Sequence, residues 1–184
     1  SSKRICATIV KTLHASGVDI GIHYNSSKTE ASDLSNELNA IRPNSTSIFN
    51  ADITNTDEAN SLINNFINWA GGLDLLVNNA SSFYPTPVGT ITDNQWHDLM
   101  GTNLKVPLFI TQAATNALKE AKGSVINLID IHTRSPLKNH PIYGSAKAGL
   151  KMLTRSLAKD LAPEIRVNGI SPGAILWPEE GMTE

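Results

Sequence analysis

A single cysteine, Cys6, among 184 residues excludes an internal disulfide and a cysteine-built metal site, and it is compatible with a reducing compartment. The five histidines show neither HExxH nor any paired ligand spacing, so the sequence offers no metal centre. Charge of neither sign dominates: 15 Lys and Arg stand against 17 Asp and Glu, for a net charge of −2 and a pI near 6.2. That balance leaves no electrostatic footprint for nucleic acid or an anionic membrane. Lys151, Arg155 and Lys159 recur every four residues, as the solvated face of a helix does. No apolar run reaches membrane-spanning length and no basic-then-apolar leader opens the chain, so a cytoplasmic protein is expected. With 40% hydrophobic and 17% charged residues, and no repeat or linker, residues 1–184 read as one domain able to bury a substantial core.

What is present is an alternation of periods. Residues 1–15 carry apolar side chains at helix spacing with Gly17 behind them, and residues 18–24 read as a short strand. Helix periods follow at 29–40, 57–69, from Thr92 to about Lys119, and at 142–161, with strands at 45–51, 73–77, 124–129 and 165–170. Asn55 with Glu58, and Thr92 with Gln95, have the spacing of helix-starting caps. Strands joined by helix-length connections must run parallel with right-handed crossovers, which predicts an α/β, Rossmann-like doubly wound sheet with helices on both faces. Such sheets bind ligands beyond the carboxyl ends of their strands. The polar clusters fall there: Tyr24-Asn25-Ser26-Ser27, Asp52, Asn78-Asn79, Asp130 and Ser171-Pro172-Gly173 each follow a strand directly.

Tyr143 and Lys147 stand four residues apart in the first turns of a predicted helix, on one face. A phenol of pKa near 10 is a poor acid at neutral pH, but an ammonium about 4 Å away favours the phenolate by up to roughly 4 kcal/mol at an effective dielectric near 20. The spacing therefore predicts a tyrosine drawn toward the working range of a general acid. A buried Tyr beside a solvated Lys has the same spacing, so the neighbouring clusters decide between the two.

Asp52 in Ala-Asp-Ile, Asn78-Asn79-Ala80, Asn103 in the long helix, Tyr143-x-x-x-Lys147, and Arg166-Val167-Asn168 leading to Pro172-Gly173 follow one another in this order. The ordered set resembles the short-chain dehydrogenase/reductases. Three features resemble the pteridine-reducing branch: Asp130 thirteen residues before Tyr143, where the wider family carries serine; Phe83 just past Asn79-Ala80-Ser81-Ser82; and Lys3-Arg4 where glycine is usual. The resemblance implies NADPH-dependent reduction of a pterin or a dihydrofolate-like ring. It makes Tyr143 the proton donor, Lys147 its electrostatic partner and ribose ligand, Asp130 the residue that orients or resupplies the proton, and Asn103 a relay through water. Phe83 becomes the stacking platform, with Arg4, Ser81 and Trp177 also at the substrate. Cofactor contacts are implied at Lys3, Arg4, Ile5, Tyr24, Asn25, Ser26, Asp52, Ile53, Asn79, Ala80, Ser81, Lys147, Pro172 and Gly173. NADPH rather than NADH follows from Tyr24-Asn25-Ser26-Ser27, which holds no carboxylate at the place, after the family's second strand, where NAD binders carry one. On the residues alone, Phe83 also fits a loop-anchoring core position, Asp130 a salt-bridged structural carboxylate, and Asn103 a stabiliser of a helix bend.

The chain departs from the family pattern at both ends. Ser1 falls inside the glycine-rich turn, without the first strand that precedes it, and Cys6 stands where the turn's last glycine is expected. Glu184 precedes the usual final helix and strand. The expectation is thus a sheet lacking its first strand and its C-terminal end, and a stretch from Ser1 to Glu184 that by itself neither binds NADPH nor reduces a pterin. A generic carbonyl reductase of the same family, and a non-catalytic remnant acting as a binding or oligomerisation module, are the alternatives. The resemblance also implies a homodimer or homotetramer, with residues 104–118 and 150–157 at a symmetric interface.

Overall fold

Strand and helix alternate along the molecule, and the caps lie where the sequence pattern puts them. The structure, a computed structural model, describes residues 4–173. Lys3 and Trp177 lie outside the described residues, as does the side chain of Arg4. The elements are α1 (Arg4–Ala15), β1 (Ile20–Tyr24), α2 (Lys28–Ile41), β2 (Thr46–Asn50), α3 (Thr56–Ala70), β3 (Leu75–Asn78), α4 (Asp93–Met100), α5 (Val106–Glu120), β4 (Ser124–Leu128), α6 (Pro141–Asp160) and β5 (Arg166–Ile170). Asn55 starts α3 by accepting the amide N–H groups of Asp57 and Glu58, and Gly71 ends it at φ 79°. Thr92 and Gln95 form a reciprocal capping box at α4.

All the strand pairings are parallel. β1 pairs with β2 with Ile20 opposite Thr46, while β3, β4 and β5 form a second sheet with Leu75 opposite Ser124 and Ser124 opposite Arg166. Among the described residues no strand joins β1 to β3. Their facing edges border an apolar slot of about 200 Å³, lined by Ile20, Gly21 and Ile22, by Leu75, Leu76 and Val77, and by Val10 and Ile110 from the helices. One further parallel strand in that slot would yield the 3-2-1-4-5-6 order of a doubly wound sheet. On the two-stranded sheet, α1 and α2 bury Val10, Ala31, Leu34 and Leu38 against Ile20 and Ile22. On the other sheet, α3 and α5 bury Ala59, Ile63, Val106, Ile110 and Leu118 against Val125 and Val167.

The long helix expected from Thr92 to about Lys119 is not continuous. Residues Gly101–Lys105 form a π-helical turn between α4 and α5, closed by the Val106 N–H on the Gly101 carbonyl. Pro107 accounts for it. Proline has no N–H to give four residues back and its ring crowds the carbonyl there, and one wide turn relieves both. In the stretches expected at a subunit interface, Val106, Ile110, Ala114, Leu118 and Leu150 are core, whereas Leu108 and Met152 are exposed.

Tight approaches fix how β4 sits beside β3. A Cβ on Gly123 would lie 2.5 Å from the carbonyl oxygen of Asp74, a backbone atom that no side-chain rotation can move. Gly123→Ala is therefore expected to cost about 1–3 kcal/mol, the usual penalty of overpacking. At about 2–4 °C per kcal/mol for a chain of this size, calorimetry should show a lower Tm, and an unchanged Tm would contradict the packing.

Candidate active site

The carboxyl ends of β3 and β4 and the first turns of α6 bring the central residues together. Asp130 stands two residues past the end of β4. One carboxylate oxygen accepts the His132 amide at 2.8 Å, starting the short turn Ile131–Thr133, and the other accepts the Tyr143 hydroxyl at 2.6 Å. Tyr143 and Lys147 lie one turn apart on α6, which Pro141 opens, and both are buried. Leu99 and Ile142 pack beside the Tyr143 ring and root it.

The electrostatics run opposite to the sequence expectation for Tyr143. Burial first, and then the hydrogen bond and charge of Asp130, push the phenol well above its ordinary pKa, with a smaller opposing contribution from the Ser81 hydroxyl. Lys147 does not reverse this, because its ammonium lies 5.8 Å from the ring centroid and donates instead to the Leu128 carbonyl at 2.8 Å. Burial lowers Lys147 to about 8, against a smaller upward pull from Asp130. Spacing of i and i+4 correctly put both residues on one face; it said nothing about where a four-carbon stem delivers its charge.

Asn103 sits fully buried in the π turn, and its amide is committed to its surroundings. It donates to the Leu99 and Ser82 carbonyls, each at 2.9 Å, and accepts the Ser81 hydroxyl at 2.6 Å. Its side chain thus ties the loop after β3 to the helix irregularity, leaving no amide group pointed at Lys147. Asp98, which the sequence reading passed over, secures the same loop by accepting hydroxyls from Ser82 at 3.1 Å and Tyr84 at 2.8 Å. No local pattern announces its hold on the loop, because Tyr84 and Ser82 are 14 and 16 residues away. Behind the loop, Asn78 donates to Asn127 at 2.8 Å and Asn127 to Thr154 at 2.9 Å, a buried chain that binds β3, β4 and α6.

Phe83 is 49% exposed, so it is not a core anchor. It stacks on His140 with centroids 4.8 Å apart and planes at 11°, and meets Tyr143 edge-on, also at 4.8 Å.

A polar cleft of about 590 Å³ runs along the strand ends beside this group. It gathers Asn25, Ser26, Asp52, Ile53, Asn79, Ala80 and Ser81 from the expected cofactor set, and adds Ser27, Thr54 and His23. Tyr24 does not line it. Side chains alternate along a strand, so Tyr24 joins Ile20 and Ile22 in the apolar cluster while His23 faces the cleft. His23 bonds the Ala51 carbonyl at 2.9 Å, and burial lowers its pKa. Asp52 accepts both the amide and the hydroxyl of Thr54, at 3.0 and 2.6 Å, which hold its carboxyl below the usual range. Ile5 lies in the first turn of α1, and the Pro172 carbonyl accepts the Ile131 amide at 3.3 Å with Gly173 against the Ile131 side chain. Among the described residues no cluster of His, Cys, Asp or Glu could hold a metal ion, and no helix is long and apolar enough to cross a membrane.

Parallel strands with ligand-facing carboxyl ends, a polar cleft along them, and a Tyr–Lys pair on the following helix define an oxidoreductase site of the dinucleotide-using kind. The family described as short chain dehydrogenase matches residues 1–180, and the chain belongs to it. Members of this family are NAD(P)H-using oxidoreductases. The chain is 34% identical to pteridine reductase 1 of Leishmania tarentolae, over 98% of its own length and 76% of that protein. It is 31% identical to a 3-oxoacyl-acyl-carrier-protein reductase of Staphylococcus aureus, over 96% of its length and 72% of that enzyme. An uncharacterized oxidoreductase of Methylorubrum extorquens matches at 30%, over 96% and 71%.

The depressed Lys147 has a stability consequence with a definite sign. Between about 8 and the ordinary 10.5 the unfolded chain holds the lysine proton that the folded one has released, so the burial penalty disappears as pH rises through that window. Lys147→Met should therefore be more stable than the parent near neutral pH by about 1–3 kcal/mol, as expected when a buried charge is replaced by an apolar side chain. The advantage should shrink steadily above about pH 8. Denaturant melts of the two cofactor-free proteins across pH check this; an advantage independent of pH would contradict it.

Proposed function

We propose that this protein reduces the ring of a pterin or dihydrofolate-like compound, using NADPH. The observation that carries the reading is the 2.6 Å Asp130–Tyr143 hydrogen bond beside the exposed ring of Phe83. Reduction of a ring C=N takes hydride at carbon and a proton at nitrogen. A flat heterocycle also gains from an aromatic face that an aliphatic carbonyl cannot use. Similarity to pteridine reductase 1 of Leishmania tarentolae supports the same choice.

The cleft suits NADPH. Residues 25–27 offer an amide and two hydroxyls with no carboxylate to repel a 2′-phosphate, and Asp52 with Ile53 stands at the adenine side. When bound, NADPH supplies the hydride. Arg4 and Lys3 belong to the phosphate side of this reading and Trp177 to the substrate side.

Tyr143 supplies the proton: its O–H bond breaks as the N–H bond of the product forms. Burial and Asp130 keep the phenol protonated across the neutral range, so the donor is always loaded. The phenolate left behind faces the Asp130 carboxylate. The buried Lys147 ammonium, one turn along the same helix, offsets part of that repulsion, which is the role assigned to it. Asp130 aims the hydroxyl and returns it to place after reloading from solvent. Asn103 acts on the reaction through Ser81, which it holds near the phenol. A symmetric dimer or tetramer completes the reading, with exposed Leu108 and Met152 on the paired helices.

Steady-state kinetics with a dihydropterin tests this. NADPH should be preferred to NADH at least tenfold, Tyr143→Phe should lower kcat by about 100-fold with little change in NADPH affinity, and Asp130→Ser should lower pterin turnover by at least tenfold. Pterin reduction untouched by Asp130→Ser would sink the assignment.

A further inference from the structure

We propose that His140 is a specificity-determining residue of the substrate site: it backs the Phe83 ring, so that a flat nitrogen heteroaromatic stacks only on the opposite face, in register with Tyr143. The inference rests on the pterin reading and adds the residue that sets how the ring is held.

Phe83 stands on the loop after β3, while both rings that grip it come from the start of α6. His140, the residue capping that helix, lies flat against Phe83 at 4.8 Å and 11°, and Tyr143 meets the ring at 79°. The His140 ring is itself aimed. Its Nδ1 lies 2.7 Å from the Lys138 carbonyl, and because a carbonyl only accepts, Nδ1 carries the hydrogen. Asn139, at φ 60°, occupies the left-handed conformation that asparagine tolerates, and its carbonyl accepts the Thr86 amide at 2.6 Å. The two loops are thus joined twice, once through backbone and once through stacked rings.

Two consequences follow for a ligand. The Phe83 face toward His140 is covered, so a planar ring is left the part of Phe83 that stays exposed. The height of that part relative to the Tyr143 hydroxyl is set by the same helix turn that carries the hydroxyl. A planar bicyclic ring with nitrogen in its plane meets both conditions, whereas an aliphatic carbonyl compound meets only the second. His140 is accordingly a positioning residue for binding, and it takes no part in proton transfer.

The experiment compares the parent, His140→Ala and His140→Phe, first by quenching of pterin fluorescence on binding and then by kinetics with a dihydropterin. For His140→Ala, Kd and KM should rise at least fivefold while kcat stays within twofold and NADPH affinity is unchanged. His140→Phe, which keeps a flat ring behind Phe83, should bind pterin within twofold of the parent. Unchanged or tighter binding by His140→Ala would overturn the inference, since the imidazole would then be irrelevant or an obstruction. Failure of His140→Phe to bind better than His140→Ala would overturn it too. A parent that binds no pterin overturns the substrate reading along with this one, whereas a parent that binds and an indifferent His140→Ala overturn this one alone.

Discussion

The hydrogen bond from the Tyr143 hydroxyl to Asp130, at 2.6 Å, joins the end of β4 to the first turns of α6 and, together with burial, keeps the phenol protonated. Because the phenol is buried beside a carboxylate, its proton is held firmly rather than loosely. The lysine below it is displaced in the opposite sense, toward losing its proton. A phenol that keeps its proton thus stands near an amine whose positive charge is costly to bury.

Polar side-chain contacts hold this geometry alongside the apolar packing of Leu99 and Ile142. Asn78, Asn127 and Thr154 link two strands to α6, and Asn103 and Asp98 fasten residues 81–84 to the helix segment after it. Each such group would carry a desolvation penalty if left unpaired, so the chains hold one arrangement strongly. The strand ends that carry the cleft are divided between two sheets with a slot between them, and the polar chains described here belong to the sheet that holds Asp130.

Most of the fold was legible in the sequence because its signals are local. The caps at Asn55 and Thr92, the stop at Gly71 and the polar residues after each strand all act within a few positions. The π turn was not read, although Pro107 behind Gly101 and Asn103 was a usable sign. Strand alternation, which the sequence carries, puts His23 at the cleft and Tyr24 in the apolar cluster. The stack of Phe83 on His140 and the anchoring by Asp98 had no local signal, since each joins segments far apart in the chain. The direction of the Tyr143 shift failed for a different reason: helix periodicity reports faces, whereas a pKa depends on burial and on where charged ends point.

The claim on which this account turns is that Asp130 and burial keep Tyr143 protonated in the cofactor-free protein. Carbon-13 NMR of the labelled tyrosine ring carbons, with Tyr143 assigned by its loss in Tyr143→Phe, measures this directly. The account predicts that Tyr143 is still a phenol at about pH 11, above the ordinary tyrosine value near 10, and that Asp130→Asn lowers its titration. Ionisation of Tyr143 at or below about pH 10 would contradict it.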